Sequence, residues 1–397
     1  MSKIDTLIAE LCPDGVEYRK LGDVADIGTG SSNTQDQDPN GIYPFYVRSP
    51  EVKRSNGFEF DETAIVTAGD GEVGKVFHFV EGKYALHQRA YRVKPTNSTL
   101  DAKFLYHYMK ANFRTYVERK ACSATVKSLR KPMFQSFEIP VPPIEVQREI
   151  VRILDSFAEL EAELEAELAA RKAQYGYYRE RLLSRENLEV LDGKPVEMMR
   201  LGDVSMNGPM YGSNTRAVAY DDTMGCRYIR ITDIDDAGNL GGDFKSPEVF
   251  DERCLLKDGD LLFARSGATA GKTMLYNGTM GPAVFAGYLI KFEIDSNQVL
   301  PRFAFHSVRT QRYWDWADAA KGGGAQPNIS AKAYGKFEIP VPSLATQRKV
   351  VDILDRFDAL TTSLTDGLPA EIEARRAQYG YYRDCLLDFP RKEGAAS

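Results

Sequence analysis

The chain has 397 residues, 43% hydrophobic and 27% charged, with a formal net charge of −6 at pH 7. That length supports two or three domains with real cores, and no stretch reaches the roughly 18–20 uncharged apolar residues of a membrane span. Early acids and the lack of an apolar run in "MSKIDTLIAELCPDG" predict no export signal, while five scattered cysteines (Cys12, Cys122, Cys226, Cys254, Cys385) with no CxxC pair fit a reducing cytoplasm and argue against a zinc site.

In chain order, "VEYRKLGDV" (16–24) leads into "ADIGTGSS" (25–32). An acid followed by Gly-x-Gly after apolar residues is how many methyltransferases build the loop that holds S-adenosylmethionine. Such a loop also needs a catalytic partner of the Asn/Asp-Pro-Pro-aromatic kind, and none occurs in the chain. The expectation is a turn after a strand in a small domain. Further on, "DGEVGK" (70–75) has the look of a tight hairpin presenting Lys75.

Residues 137–190 are different in kind. After a short "FEIPV" strand and Pro142-Pro143 there is no Gly or Pro until Gly176. Apolar or aromatic side chains fall at Leu154, Phe157, Leu160, Leu164, Leu168, Tyr175, Tyr178 and Leu182, in steps of three and four. That is the period of a helix with one apolar seam. Glu161, Glu163, Glu165 and Glu167 solvate its flanks. About 40 residues at ~1.5 Å each predict a rod of roughly 60 Å.

The remainder repeats this plan. "VEMMRLGDV" (196–204) matches 16–24 at an offset of 180, "FEIPVPSLATQRKVVDILDRFDAL" (337–360) matches 137–160 at 200, and "RRAQYGYYRDCLL" (375–387) matches 171–183 at 204. On these offsets Asp26-Ile27-Gly28-Thr29-Gly30 aligns with Met206-Asn207-Gly208-Pro209-Met210, losing the aspartate and second glycine. "SGATAGKT" (266–273) has three residues rather than four between Gly267 and Gly271-Lys272, so it is not a phosphate-binding loop. The second seam runs through Leu354, Phe357, Leu360, Leu364, Leu368, Ile372, Tyr379, Tyr382 and Leu386, with a kink or restart expected at Gly367 and Pro369 and Asp366 as its cap.

The organisation read from this is 1–136, a globular head; 137–190, a helical segment; 191–336, a second head; and 337–397, a second helical segment. Lys and Arg against Asp and Glu number 19 to 17, 7 to 12, 17 to 18 and 8 to 10 in these segments, so the acidity lies in the helices. A single amphipathic rod needs a partner for its seam, and the two matched rods are the nearest partners for each other. The four histidines, His78, His87, His107 and His306, fall in no ligand spacing and none recurs at its repeat position. Structural or surface roles are expected for each.

Taken together, "EIPVPPIEVQREIVRILDSF", "LEAELEAEL", "RKAQYGYYRERLL" and "GLPAEIEARRAQYGYYRDCLL" resemble the specificity subunit of type I restriction–modification systems, especially the branch with tandem four-residue repeats in the first spacer helix. The resemblance implies an α+β fold: two small mixed α/β target recognition domains at opposite ends of two long helices packed as an antiparallel coiled coil, with a pseudo-two-fold internal repeat. It also implies a subunit without catalytic, cofactor or metal site. Each domain would read one half of a gapped, asymmetric double-stranded DNA site. The helices would set the gap and dock two modification subunits, which carry S-adenosylmethionine and methylate adenine. Restriction subunits would add ATP- and Mg-dependent translocation and cleavage, all in the cytoplasm. A self-contained adenine methyltransferase and a coiled-coil scaffold binding proteins are the alternatives.

Comparing copies, "YVR" (46–48) aligns with "YIR" (228–230) and Gly74-Lys75 with Gly271-Lys272. Arg48, Arg230, Lys75 and Lys272 are therefore candidates for phosphate or positioning contacts, and Lys53, Arg54, Arg89, Arg227, Arg265 and Ser266 for reaching bases. Leu154, Phe157, Leu160, Leu164, Leu168, Tyr175, Tyr178, Leu354, Phe357, Leu360, Leu364, Leu368, Tyr379 and Tyr382 are candidates for helix packing or partner-subunit contact.

Overall fold

The computed structural model describes residues 3–120, 128–241, 244–322, 326–362 and 367–392. It divides into two units, Met1–Glu163 with Ile372–Ser397, and Leu164–Glu371. Each unit thus takes one head and a part of both helical segments.

In the first unit, the run "AIVTA" (Ala64–Ala68) is buried at every position, as a strand covered on both faces must be. It lies inside an antiparallel sheet of order Ala25–Thr29, Ala90–Pro95, Ala64–Ala68, Phe77–Val80. A second four-stranded sheet sets Tyr43–Tyr46 parallel to Lys83–Leu86, flanked by Lys53–Ser55 and Phe60–Asp61. The helix Ala102–Lys120 joins the core through Phe104, Leu105, Met109 and Phe113.

The second unit keeps the first of these sheets, with order Met210–Tyr211, Leu289–Glu293, Asp260–Ala264, Thr273–Leu275. It also keeps the parallel pair, Arg227–Ile229 on Ala283–Phe285, but as a separate two-stranded ribbon. In both units the "EIP" strand pairs antiparallel with the strand ahead of its own "LGDV", Tyr18↔Pro140 and Met198↔Pro340. Leu21 N donates to Phe137 O at 2.7 Å and Leu201 N to Phe337 O at 2.8 Å.

The first helical segment is one helix of 39 residues, Ile144–Leu182, about 60 Å long at 1.5 Å per residue. The second is two, Leu344–Thr362 and Leu368–Leu386. A Cβ on Gly367 would come 2.7 Å from Ala359 O and 2.8 Å from Leu360 O, so only glycine lets the chain close on the end of the preceding helix. Pro369 then sits in the first turn of the next, where its missing N–H is no loss. The cap expected at Asp366 and the seam position Leu364 lie outside the described residues.

Seam packing is antiparallel in each unit. In the first, Phe157 stacks on Tyr382 (5.6 Å) and meets Tyr379, while Glu161 accepts from Arg376 at 2.6 Å. In the second, Tyr175 and Tyr178 stack on Phe357 (6.1 and 5.4 Å), and further along Asp192 accepts from Ser343 N and Thr346 Oγ1. Leu154, Leu164, Tyr175, Leu354 and Leu368 are buried; Phe157, Leu160, Leu168, Tyr178, Phe357 and Tyr379 are half-buried; Leu360 and Tyr382 are exposed.

Each head is fastened to a spacer helix by the same two devices. The fully buried Gln147 donates to Thr99 O and Pro142 O and accepts from Asp101 N; Gln347 donates to Gln298 O and Pro342 O and accepts from Leu300 N. Asp155 accepts from Lys103 at 2.7 Å and pairs with His107 Nε2 at 2.9 Å, and Asp355 accepts from Arg302 at 2.7 Å and pairs with His306 Nε2 at 2.7 Å. Two of the histidines therefore do recur, contrary to the sequence reading. Their offset is 199, and it passes unnoticed because the residues around them ("KFLYHY" and "RFAFHS") share little else. Burial holds both imidazoles below the usual histidine range, against the pull of the neighbouring carboxylates.

Candidate nucleic-acid interface

Backbone register gives the correspondence between heads that side chains obscure. Ser32 N donates to Leu86 O and Gln88 N to Ser32 O; Ser213 N donates to Phe285 O and Gly287 N to Ser213 O. His87 N donates to Tyr46 O as Ala286 N does to Ile229 O. Ser32, Leu86 and Tyr46 therefore occupy the places of Ser213, Phe285 and Ile229. This shifts the "YVR"/"YIR" alignment by one residue: Arg230 corresponds to Val47, not Arg48.

The "ADIGT" segment is also not a turn. Ala25–Thr29 is an edge strand paired along Ala90–Pro95, with Asp26 bonded to Arg92 at 2.6 Å. A Cβ on Gly30 would overlap Leu86 O, which is why glycine is required there. In the second copy Ser205 faces Ile294 and Met210 faces Lys291, whereas Ala25 faces Pro95 and Gly28 faces Arg92. Two residues are thus inserted within 206–209, and Gly208, with φ +70°, belongs to that insertion.

The glycine–lysine hairpins correspond in place and length, but their Gly-Lys pairs lie one residue apart in register. Each follows an inner strand of the sheet, with Gly71 (φ +72°) matched by Gly267 (φ +68°), whereas Gly74 stands where Ala270 does, Lys75 where Gly271 does and Val76 where Lys272 does. These values suit glycine and strain other residues. Beside them, Gly69 N donates to Arg89 O and Leu129 N to Gly69 O; Arg265 N donates to Tyr288 O and Ile329 N to Arg265 O. The bridges Asp70↔Ser128 and Ser266↔Asn328 close the same corner. Three stretches thus meet at one junction in each head: the loop after the central strand, the turn before the next strand, and the residue ahead of Leu129 or Ile329.

The structure gathers some of the candidate basic residues here and disperses the others. Asp70 accepts from Arg48 Nη1 at 2.7 Å and from Arg89 Nη1 at 3.3 Å, so two guanidinium groups share one carboxylate and the cluster keeps a net positive charge. Arg265 donates through Nε to Asn328 Oδ1 at 3.1 Å and lies 4.9 Å from the centre of the Tyr211 ring; Ser266 stands next to it. Away from the junction, Lys53 pairs with Glu51, Arg54 donates to Gly41 O, and Lys75 pairs with Glu72. Arg230 forms a two-pronged pair with Asp233, and Lys272 reaches Asp236 at 2.8 Å. Arg227 is buried over Phe244, donates to Gly241 O, and has its pKa lowered by that burial. Asp70, Gln88, Tyr288 and Asn328, which the sequence did not single out, complete the junction. Copy-to-copy alignment by strand register rather than by letters is what finds them.

Among the described residues no group of three or more His, Cys, Asp or Glu is placed to hold a metal ion, and no helix is long and apolar enough to cross a membrane. The duplicated frame sets two heads of one plan in a single chain, each with basic side chains on the loops beside its sheet. The family described as the type I restriction modification DNA specificity domain matches residues 13–170 and again 193–374, and the chain belongs to that family. The specificity subunit of EcoR124I/EcoR124II from Escherichia coli is 34% identical over 268 residues, covering 64% of each chain. A Haemophilus influenzae protein named for type I restriction enzyme specificity is 29% identical over 392 residues, covering 94% of this chain and 96% of its own. The crystal structure of the S subunit from M. genitalium has the same fold, with a TM-score of 0.59 at 18% identity over 94% of this chain and 95% of that one. The chain is a specificity subunit, the DNA-recognition component of a type I restriction–modification system.

Proposed function

We propose that each head reads one half of a bipartite, gapped and asymmetric site in double-stranded DNA, while the helical segments fix the separation and dock two modification subunits. Those subunits carry S-adenosylmethionine and methylate adenine, and restriction subunits add ATP- and Mg-dependent cleavage; this chain contributes recognition, not catalysis, and works in the cytoplasm. The "LEAELEAEL" repeat supports membership of the branch that carries tandem four-residue repeats. The observation that carries the reading is the pairing of sameness and difference. The two heads are held by equivalent Gln147/Gln347 and Asp155/Asp355 anchors, yet present unlike side chains at the same junction. Equal mounts and unequal faces suit two different half-sites at a set spacing. Near-neutral heads fit a reader that leaves much of the phosphate grip to its partners, since phosphate contacts dominate affinity.

The test is a genome-wide map of methylated adenines in the host with and without this gene. A gapped asymmetric motif that disappears on deletion is the expected result. Methylation that persists unchanged, or a motif without a gap, would refute the reading. In gel shifts with modification subunits added, specific DNA should be retained over random DNA.

A further inference from the structure

Resting on that reading, we propose that the three-stretch junction is the base-reading surface of each head, with Arg89 reading in the first and Arg265 in the second, and Asp70 and Asn328 as the residues that position them. Around this corner the backbone is the same in both copies and the side chains are not. Gly69 stands where Arg265 stands, Asp70 where Ser266 does, Gln88 where Gly287 does, Arg89 where Tyr288 does, and Ser128 where Asn328 does. A geometry that is kept while its chemistry is exchanged is what two readers of different sequences need.

A phosphate grip would look different. Phosphates are alike in every sequence, so a residue that only grips them gains nothing by changing place between copies. Here the cation moves: the arginine is on the turn before the strand in one head (Arg89, exposed) and on the loop across the junction in the other (Arg265, half-buried), with Tyr288 and Gly69 at the vacated places. Arginine also has the fork that matches guanine N7 and O6 in the major groove, and a fork reads only if it is aimed. Asp70 does this for Arg89 by holding one terminal nitrogen at 3.3 Å, with Arg48 steadying the carboxylate from the other side. In the second head, Asn328 holds Nε of Arg265 and Tyr211 supports its plane, so both terminal nitrogens stay available. Gln88 in the first head and Tyr288, 61% exposed, in the second would flank the base contacted by the arginine.

The experiment replaces the chromosomal gene with Arg89→Lys, Arg89→Ala, Arg265→Lys or Arg265→Ala and maps methylated adenines in each strain. Lysine keeps the charge and removes the fork. Loss of one two-pronged base contact lowers discrimination by about ten- to a hundredfold, so the Arg89 variants should relax a base position in one half-site and leave the other half unchanged. The Arg265 variants should do the reverse. If Arg89→Ala abolishes methylation through misfolding, the lysine variant decides. An unchanged motif in the lysine variants, whether at full or uniformly reduced methylation, overturns the assignment, because charge alone would then suffice. Relaxation of both half-sites by one variant overturns it too. Absence of any gene-dependent gapped motif in the wild-type host would instead sink the function proposed above.

Discussion

The anchors of the two heads are built alike but are not equally complete. In the first unit, Lys103 and His107 share Asp155, and His107 Nδ1 is buried without a hydrogen-bond partner. In the second, Arg302 spans Asp355 and Asp358, and His306 Nδ1 faces Tyr175 OH at 3.3 Å. Two positions produce the difference: Ala158 stands where Asp358 does, and Lys103, a single ammonium, stands where Arg302 can fork. Duplication supplies a common mount, and local substitution then tightens one copy. The lesson is that a nearly repeated spacer does not mean equally complete anchoring of the heads, since one substitution in it, Ala158 against Asp358, removes a carboxylate.

Four measurements sharpen or break this comparison. The largest effect is expected from Leu154→Ala and Leu354→Ala, both fully buried at equivalent seam positions, each losing about 3 kcal/mol in chemical denaturation. The losses should be similar, because the helix core is shared in kind. Gln147→Ala and Gln347→Ala come next. Each strands backbone groups that the amide had satisfied, at a cost of about 2 kcal/mol, again alike in the two copies. A marked inequality in either pair would show that the mounts are not equivalent.

Tyr175→Phe should cost about 1 kcal/mol through the hydroxyl that faces His306, and Tyr379→Phe, its counterpart at an offset of 204, less. Equal losses would remove the asymmetry argued above. Near neutral pH the smallest effect is that of the two buried histidines. Their folded pKa values lie below the unfolded value of about 6.5, so each contributes stability that is fully present above pH ~6.5 and is lost as pH falls through the folded value. Melting temperature should therefore drop on acidification, and His107→Asn with His306→Asn should flatten that drop. A slope unchanged in the double variant would assign it to other groups.

Much of the fold was legible in the letters. The seam period, the prolines after "FEIPV" and the offsets of 200 and 204 predicted the helices and the break at Gly367-Pro369. The candidate interface was less legible. "YVR" and "YIR" align by letters but lie one residue apart in register, and "ADIGT" mimics a cofactor turn while forming an edge strand. Arg227, Arg230 and Lys272 are basic in sequence but tied to partners within their own head. Charge counts cannot distinguish a cation neutralised by a neighbour from one aimed outward.

By itself the sequence determined the duplication, the helical seam and the family, because these rest on local periodicity and on matches between stretches of one chain. Only the tertiary structure decided which residues of the two heads are equivalent, that His107 and His306 share an anchoring role, and that Arg48, Asp70 and Arg89 meet at one corner. Those relations depend on hydrogen-bond register between strands distant in sequence. A shift of one residue there exchanges the side chains that face each other and is invisible in the order of letters.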